Sequence, residues 1–349
     1  MPSKDFKKRI MGFSLILLIF LLVVSVIQIP FWIRLVMWIV CFLFLIYCGL
    51  ILWLYQKIQK QERRYIKAKG EDILIIAPHQ DDCVAIAGGY AVQTVEKGGH
   101  VYILYITDGY EEDRVTRRQE AVKAWSTFSE TSVTLDFLPY INNKSFLSRK
   151  EIDKGIDEIS KYIKRVNPGT IFVPLYEGGH YQHDVINYMV SRALKNLTID
   201  CTVYESPIYN FFMSFKTTPE KILSGLARFI PLVTYDYPPE PVRNDQVYYL
   251  EMTDSQLEKK KNIITAFKTQ NPHKLRERWG FCDRYQKLHD YDYSQPPFNY
   301  NKSVAKRIHN LKTLPLIGKI MRKIMIWTTT IHPDPHYTMT NIPISSRED

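Results

Sequence analysis

The chain has 349 residues, 46% of them hydrophobic, and a formal net charge of +10. That length suits one large domain or two small ones, and the apolar fraction suffices for a sizeable core. The five cysteines show neither paired nor zinc-knuckle spacing, which excludes a disulfide framework.

In chain order, residues 10–29, IMGFSLILLIFLLVVSVIQI, carry no formal charge over 20 positions, and residues 35–55 are uncharged as well. Each run predicts a helix able to cross about 30 Å of hydrocarbon. Only PFWIR lies between them, so the expectation is an N-terminal transmembrane helical hairpin. A cleaved signal peptide is the competing reading of the first run; KDFKKR suits it, but no small-x-small site follows Ile29. Lys4, Lys7, Lys8 and Arg9 precede the first run, and Lys57, Lys60, Arg63, Arg64, Lys67 and Lys69 follow the second. Cation excess marks the cytoplasmic side. The expected location is therefore the cell membrane, with two spans and the remainder of the chain cytoplasmic. Anionic lipid headgroups account for the charge more directly than nucleic acid does, so membrane lipid is an expected partner and nucleic acid is not.

From Asp72 onward strands and helices alternate. Residues 72–77, 100–107, 133–140, 170–175 and 201–206 read as strands. Residues 83–97, 117–128, 150–166 and 184–196 read as helices between them. This rhythm predicts the α/β class: a Rossmann-like, mostly parallel sheet with helices on both faces, preceded by the transmembrane hairpin. Beyond Ser206 the pattern blurs. Residues 235–246 read as a proline-rich loop, 254–270 as helix and 283–301 as irregular. Residues 303–327 form a basic amphipathic stretch, suited to a membrane surface or to packing on the core with a solvated face. The expected organisation is 1–69 as membrane anchor, 70–275 as the α/β domain and 276–349 as a C-terminal extension. HPDPH, at 332–336, follows no strand and reads as a loop.

Chemistry gathers at strand ends, where parallel sheets bind ligands. APHQDDCVAIAGG, from Ala77 to Gly89, leaves the first strand with His79, Asp81 and Asp82 close together. Imidazole and carboxylate suit a divalent metal such as zinc, and a catalytic zinc takes three protein ligands. PLYEGGHYQHD, from Pro174 to Asp184, follows another strand and carries His180 and His183. Either cluster alone is compatible with ordinary loop polarity. Two parallel strands of one sheet can bring both clusters to the same mouth, and together they point to one metal site. Gly88–Gly89 belongs to no G-x-G-x-x-G fingerprint, so no dinucleotide is expected.

PHQDD with Gly88–Gly89, followed about 100 residues later by the histidine pair, resembles the PIG-L/LmbE-like N-acetylglucosaminyl deacetylases. The likeness covers roughly Asp72 to Gln270. It includes TDG at 107–109, Arg117 and Glu120 in RRQEAVKAW, and, more loosely, KNIITAFKTQ ending at Gln270. It implies a deacetylase over 70–275 that binds zinc, or another divalent ion such as Fe²⁺, through His79, Asp82 and His183. It implies Asp81 as the general base for the attacking water, His180 as a stabiliser of the oxyanion, and Arg117 as a substrate-binding residue. The substrate would be an N-acetylated amino-sugar conjugate, a lipid-linked one included, and the product acetate.

Three departures from the family pattern stand out. Gln80 replaces proline and Cys83 replaces glutamate in the first motif, and Gln182 replaces an aspartate able to orient a histidine in the second. Cys83 could be a fourth thiolate ligand or a small buried residue. The departures keep two alternatives open: a catalytically silent sugar-binding module, or a metal hydrolase of another bond, such as a phosphoester.

Overall fold

The structure, a computed structural model, describes residues 4–27, 29–59, 64–107, 113–138, 147–176, 181–208, 246–272, 275 and 283–293. Helices α1 (Lys4–Val26) and α2 (Phe31–Gln59) come first, then strands β1 (Arg64–Ile66) and β2 (Ile73–Ala77). The alternation continues through α3 (Asp82–Glu96), β3 (Val101–Tyr105), α4 (Arg114–Phe128), β4 (Val133–Phe137) and α5 (Arg149–Val166). It ends with β5 (Thr170–Pro174), α6 (Tyr181–Lys195), β6 (Thr202–Ser206), β7 (Tyr248–Leu250), α7 (Asp254–Ile264) and β8 (Arg284–Lys287).

The strand β2, ILIIA, is central, and all five residues are buried. A strand covered on both faces needs an unbroken apolar run, because neither pleat face meets water. It pairs in parallel with β3 on one side and β5 on the other. The whole sheet runs β1-β7-β8-β6-β5-β2-β3-β4, with β8 antiparallel to both β6 and β7 and the other pairs parallel. Alternate residues of β2 feed two cores. Ile73, Ile75 and Ala77 pack with α3, α4 and α7, while Leu74 and Ile76 pack with α5 and α6. The chain leaves β2 toward β3 and β4, then returns to the other side of β2 as β5 and β6. A crevice therefore opens at the carboxyl ends of β2 and β5, where the winding reverses.

Local signals shape several elements. Ser148 and Glu151 cap α5 reciprocally, and Asn167 ends it at φ 47° just before Pro168. Thr253 and Gln256 cap α7 in the same way. The helix read over 254–270 stops at Ile264, with a separate short 3-10 turn over Lys268–Gln270. The strands β1 and β8 arise where the sequence reads as basic flank and irregular chain. Each is three or four residues long with mixed polarity, so only the partner strand gives it a reason to extend.

The N-terminal hairpin requires a correction. Both helices form, and Arg34 closes the turn between them by donating to the carbonyls of Ile27 and Ile29, at 3.1 and 3.3 Å. Among the described residues, however, no helix is long and apolar enough to cross a membrane. Helix α1 ends at Val26, so its uncharged part, 10–26, is 17 residues. At 1.5 Å per residue this spans roughly 25 Å, short of a hydrocarbon core of about 30 Å. In α2, Arg34 occupies the first turn. The transmembrane part of the expected fold and the two-span membrane location are thereby overturned. The basic stretch 303–327 and HPDPH lie outside the described residues.

One tertiary contact shapes α3, the helix that carries the first motif. The backbone leaves helical geometry at Ala87, with φ −150° and ψ 29°. Beyond the break, the amides of Gly89 and Tyr90 donate to Oδ2 of Asp283, at 2.6 and 3.1 Å. The Tyr285 hydroxyl donates to the same oxygen at 2.9 Å, and Lys260 of α7 pairs with Oδ1. A Cβ on Gly89 would lie 2.8 Å from that carboxylate and 2.3 Å from the sulfur of Met252. The glycine is therefore required by the close approach of Asp283.

Candidate metal centre

The site is built where β2 ends. The amides of Ile106 and Thr107 donate to the carbonyls of Ala77 and Pro78, at 3.0 and 3.1 Å, which fastens the turn to the end of β3. The Thr107 hydroxyl adds a 2.8 Å bond to Pro78 O. Gln80, at the first motif's departure from proline, donates from Nε2 to Thr107 O at 3.2 Å. The turn is held by side chains where the family pattern holds it with a ring.

Within this turn Asp82 is the hub. Its Oδ2 accepts from the His79 amide at 3.1 Å and lies 2.8 Å from His79 Nδ1. His183 Nε2 lies 3.1 Å from the same oxygen. Helix α6 delivers His183 because Val185, Ile186, Met189, Val190 and Ala193 are all buried and press the helix onto the sheet, turning its first residues toward β2. His183, Asp184 and Asn187 are also fully buried. Asn187 ties the helix down by donating to Pro174 O at 2.8 Å and to Glu205 at 2.9 Å.

The structure thus brings His79, Asp82 and His183 together. Each offers one ligand atom, and these atoms lie within 4.8 Å of one another. Oδ1 of Asp82 is buried with no hydrogen-bond partner among the described residues, an arrangement that costs free energy unless something binds there. Two imidazoles and a carboxylate form a zinc-type donor set with a position left for water. These residues fit a divalent cation.

In the cation-free site the electrostatics agree with that fit at Asp82 and His183, while His79 is drawn toward its protonated form by the Asp82 carboxylate that a cation would share. Burial alone would raise Asp82, but the charges and hydrogen bonds of His183 and His79 hold its carboxyl well below the usual range. Burial lowers His183 and keeps it neutral, as a metal ligand must be. Burial opposes protonation of His79 too, yet its bond to Asp82 and that carboxylate's charge raise it. Asp81, next in the turn, behaves differently from Asp82. Loss of hydration and the Asp82 charge push it up to about 7, against the pull of His79 and Arg117. Two adjacent carboxyls are therefore driven in opposite directions.

Arg117 sits on the buried face of α4, close enough for its charge to act on Asp81. Glu120, one turn on, accepts from the amide and hydroxyl of Thr269, at 2.8 and 2.7 Å. The R-x-x-E helix and the more loosely matching segment that ends at Gln270 therefore meet. Cys83 is not a member of the cluster. Its thiol donates to Gln80 O at 3.2 Å and lies 3.2 Å from the Tyr105 hydroxyl. Burial pushes it up to about 12, so it stays a protonated, packed thiol. His180, Asp108 and Gly109 lie outside the described residues. Sequence reasoning overlooked the use of Gln182, whose Oε1 lies 2.5 Å from His79 Nε2. Its place beside His183 in a helix start was the available signal.

The family model described as PIG-L, GlcNAc-PI de-N-acetylase, matches residues 74–194. No curated protein matches the sequence. Among solved structures, a deacetylase of the teicoplanin biosynthesis pathway is similar at 15% identity and TM-score 0.46, covering 63% of this chain and 99% of that one. The N,N'-diacetylchitobiose deacetylase of Pyrococcus horikoshii is similar at 17% identity and TM-score 0.38, covering 68% and 88%. So is GalB, a 4-carboxy-2-hydroxymuconate hydratase of Pseudomonas putida, at 13% identity and TM-score 0.41, covering 65% and 98%. Likeness at that level says nothing of substrate. The matched segment, residues 74–194, contains β5, all but one residue each of β2 and α6, and the whole His79–Asp82–His183 cluster, and it is similar to the PIG-L family of de-N-acetylases.

Proposed function

We propose that this deacetylase removes the acetyl group from an N-acetylated amino sugar, an N-acetylglucosamine conjugate, with a zinc ion held by His79, Asp82 and His183. The observation that carries the reading is the convergence of those three donors on a buried carboxylate whose second oxygen is orphaned, beside a second carboxyl that titrates near neutrality. A bound divalent cation would polarise the acetamide carbonyl and acidify water at the open position. The chain's own residues do the rest. Asp81 takes the proton from the attacking water as the new C–O bond forms, and the amide C–N bond breaks when the resulting oxyanion collapses. Asp81 then returns a proton to the departing nitrogen, leaving acetate and a free amino sugar. Arg117 helps to hold the substrate, and His180 donates to the oxyanion.

A lipid-linked conjugate is favoured over a water-soluble one by the apolar surface of α1 and α2. Leu22, Trp32 and Phe42 are 68%, 72% and 63% exposed, and exposed apolar surface of that kind marks a contact site. The test is acetate release from a panel of soluble and lipid-linked N-acetylglucosamine conjugates by the zinc-loaded full chain. Release from the panel, removed by chelation and restored by zinc, is the expected result. Equal rates on soluble and lipid-linked members reject the lipid link. No release from any member, with zinc bound, rejects deacetylation of this substrate class.

A pH profile follows from Asp81. Its working form is the carboxylate, so kcat/KM falls as pH drops and the group takes up a proton. In the cation-free chain that happens at about 7. A bound cation favours the anion, so the acid limb of the loaded enzyme lies at or below that value. A profile measured in excess zinc between about pH 5 and 8 shows the limb, and a flat profile removes Asp81 as the base.

A further inference from the structure

We propose that Gln182 is a positioning residue: it holds the proton of His79 on Nε2, so that Nδ1 presents its lone pair to the cation. The inference rests on His79 being a metal ligand and assigns a use to a position where the family pattern has aspartate. Gln182 is 4% exposed, and its Oε1 lies 2.5 Å from His79 Nε2. The other ring nitrogen, Nδ1, faces Asp82 Oδ2 at 2.8 Å, on the side where His183 Nε2 also reaches that oxygen. The ring is thus gripped at both edges. An amide oxygen can only accept, so the nitrogen facing it must carry hydrogen. In a neutral imidazole that leaves Nδ1 as the single lone pair.

Helix geometry explains why adjacent residues share the task. Consecutive side chains on α6 diverge by roughly 100°. His183 goes to Asp82, and Gln182 goes to the far edge of His79. The first turn of one helix thereby supplies one ligand and orients another that belongs to the β2 turn, 103 residues earlier. An amide does this without adding negative charge beside Asp81 and Asp82, where a second anion would raise Asp81 further.

The measurement is zinc affinity of the full chain by competition with a chromophoric chelator, in wild type, Gln182→Leu and Gln182→Glu. Loss of such an orienting partner weakens metal binding about 10–100-fold, so Gln182→Leu should fall in that range. Gln182→Glu restores the acceptor and should recover most of the affinity. Unchanged affinity in Gln182→Leu overturns the proposal, and so does a glutamate variant as weak as the leucine one. Long-range ¹H–¹⁵N spectra of zinc-loaded wild type serve where the leucine variant does not fold. They should show His79 protonated at Nε2 and metal-bound at Nδ1, and the reverse pattern also overturns it. Acetate release measured alongside separates this from the proposed function. Gln182-dependent affinity without release sinks the activity alone, and release with unchanged Gln182→Leu affinity sinks the positioning role alone. A wild type that binds no divalent cation overturns both.

Discussion

Asp81→Asn should lower kcat by about 10²–10⁴ while zinc stays bound, because a general base contributes that much and Asp81 is not one of the three ligands. Asparagine keeps the shape and cannot take a proton. The matching contrast is Asp82→Ala, which removes the hub of the cluster and should lose the metal itself. Zinc content measured beside acetate release distinguishes the two. An Asp81→Asn enzyme at wild-type rate would place the base elsewhere. The same variant has a second signature in the zinc-free chain. Asp81 is raised from 3.8 to about 7 on folding, so its protonated form favours the native state. That stability is present below the unfolded value and lost as pH rises through the folded one. Zinc-free Asp81→Asn should therefore gain stability over wild type as pH climbs from about 4 to about 7, and match it in acid. Urea midpoints across that window check the sign.

The second large effect concerns Lys260 and Asp283, both with fully buried side chains. Lys260→Met should destabilise the chain by about 3–5 kcal/mol, because it leaves a buried carboxylate without its cation. That is a large share of the 5–15 kcal/mol typical of a folded protein. The double variant Lys260→Met/Asp283→Asn should recover part of the loss, since the amide oxygen can still accept from Gly89 and Tyr90 with no charge left buried. Denaturant unfolding of the single and double variants gives the coupling directly. A single variant within about 1 kcal/mol of wild type would mean that the three donors to Oδ2 suffice without the ammonium. The pair also bears on chemistry. It anchors the break in α3, the helix whose first turn carries Asp82.

Legibility in the sequence differed from element to element. The strand β2 and its neighbours β3 and β5 were readable because a strand buried on both faces must be apolar along its whole length. Helix α5 was readable because its amphipathic period and its end signals are local. The turn after β2 announced itself by placing His79, Asp81 and Asp82 where a parallel sheet opens. By contrast, β1 and β8 have no period of their own; they extend because β7 and β6 offer them hydrogen bonds. The hairpin of α1 and α2 was readable as helix. Its reach across a bilayer was overestimated, because the uncharged letters run past Val26 while the first helix does not.

Residue types and their order determined that this chain has an α/β core, a metal-suited pair of clusters and a deacetylase-like motif. Those properties follow from side-chain chemistry and from periods of two or four residues, which a linear string records. Only the tertiary structure decided which of the polar residues meet. It placed Gln182 against His79, set Asp82 between two imidazoles, kept Cys83 out of the cluster, and put Asp283 against Gly89 from 194 residues away. Contacts at such separation depend on how the sheet is wound, and the free energy of a buried charge depends on the partners that winding brings to it.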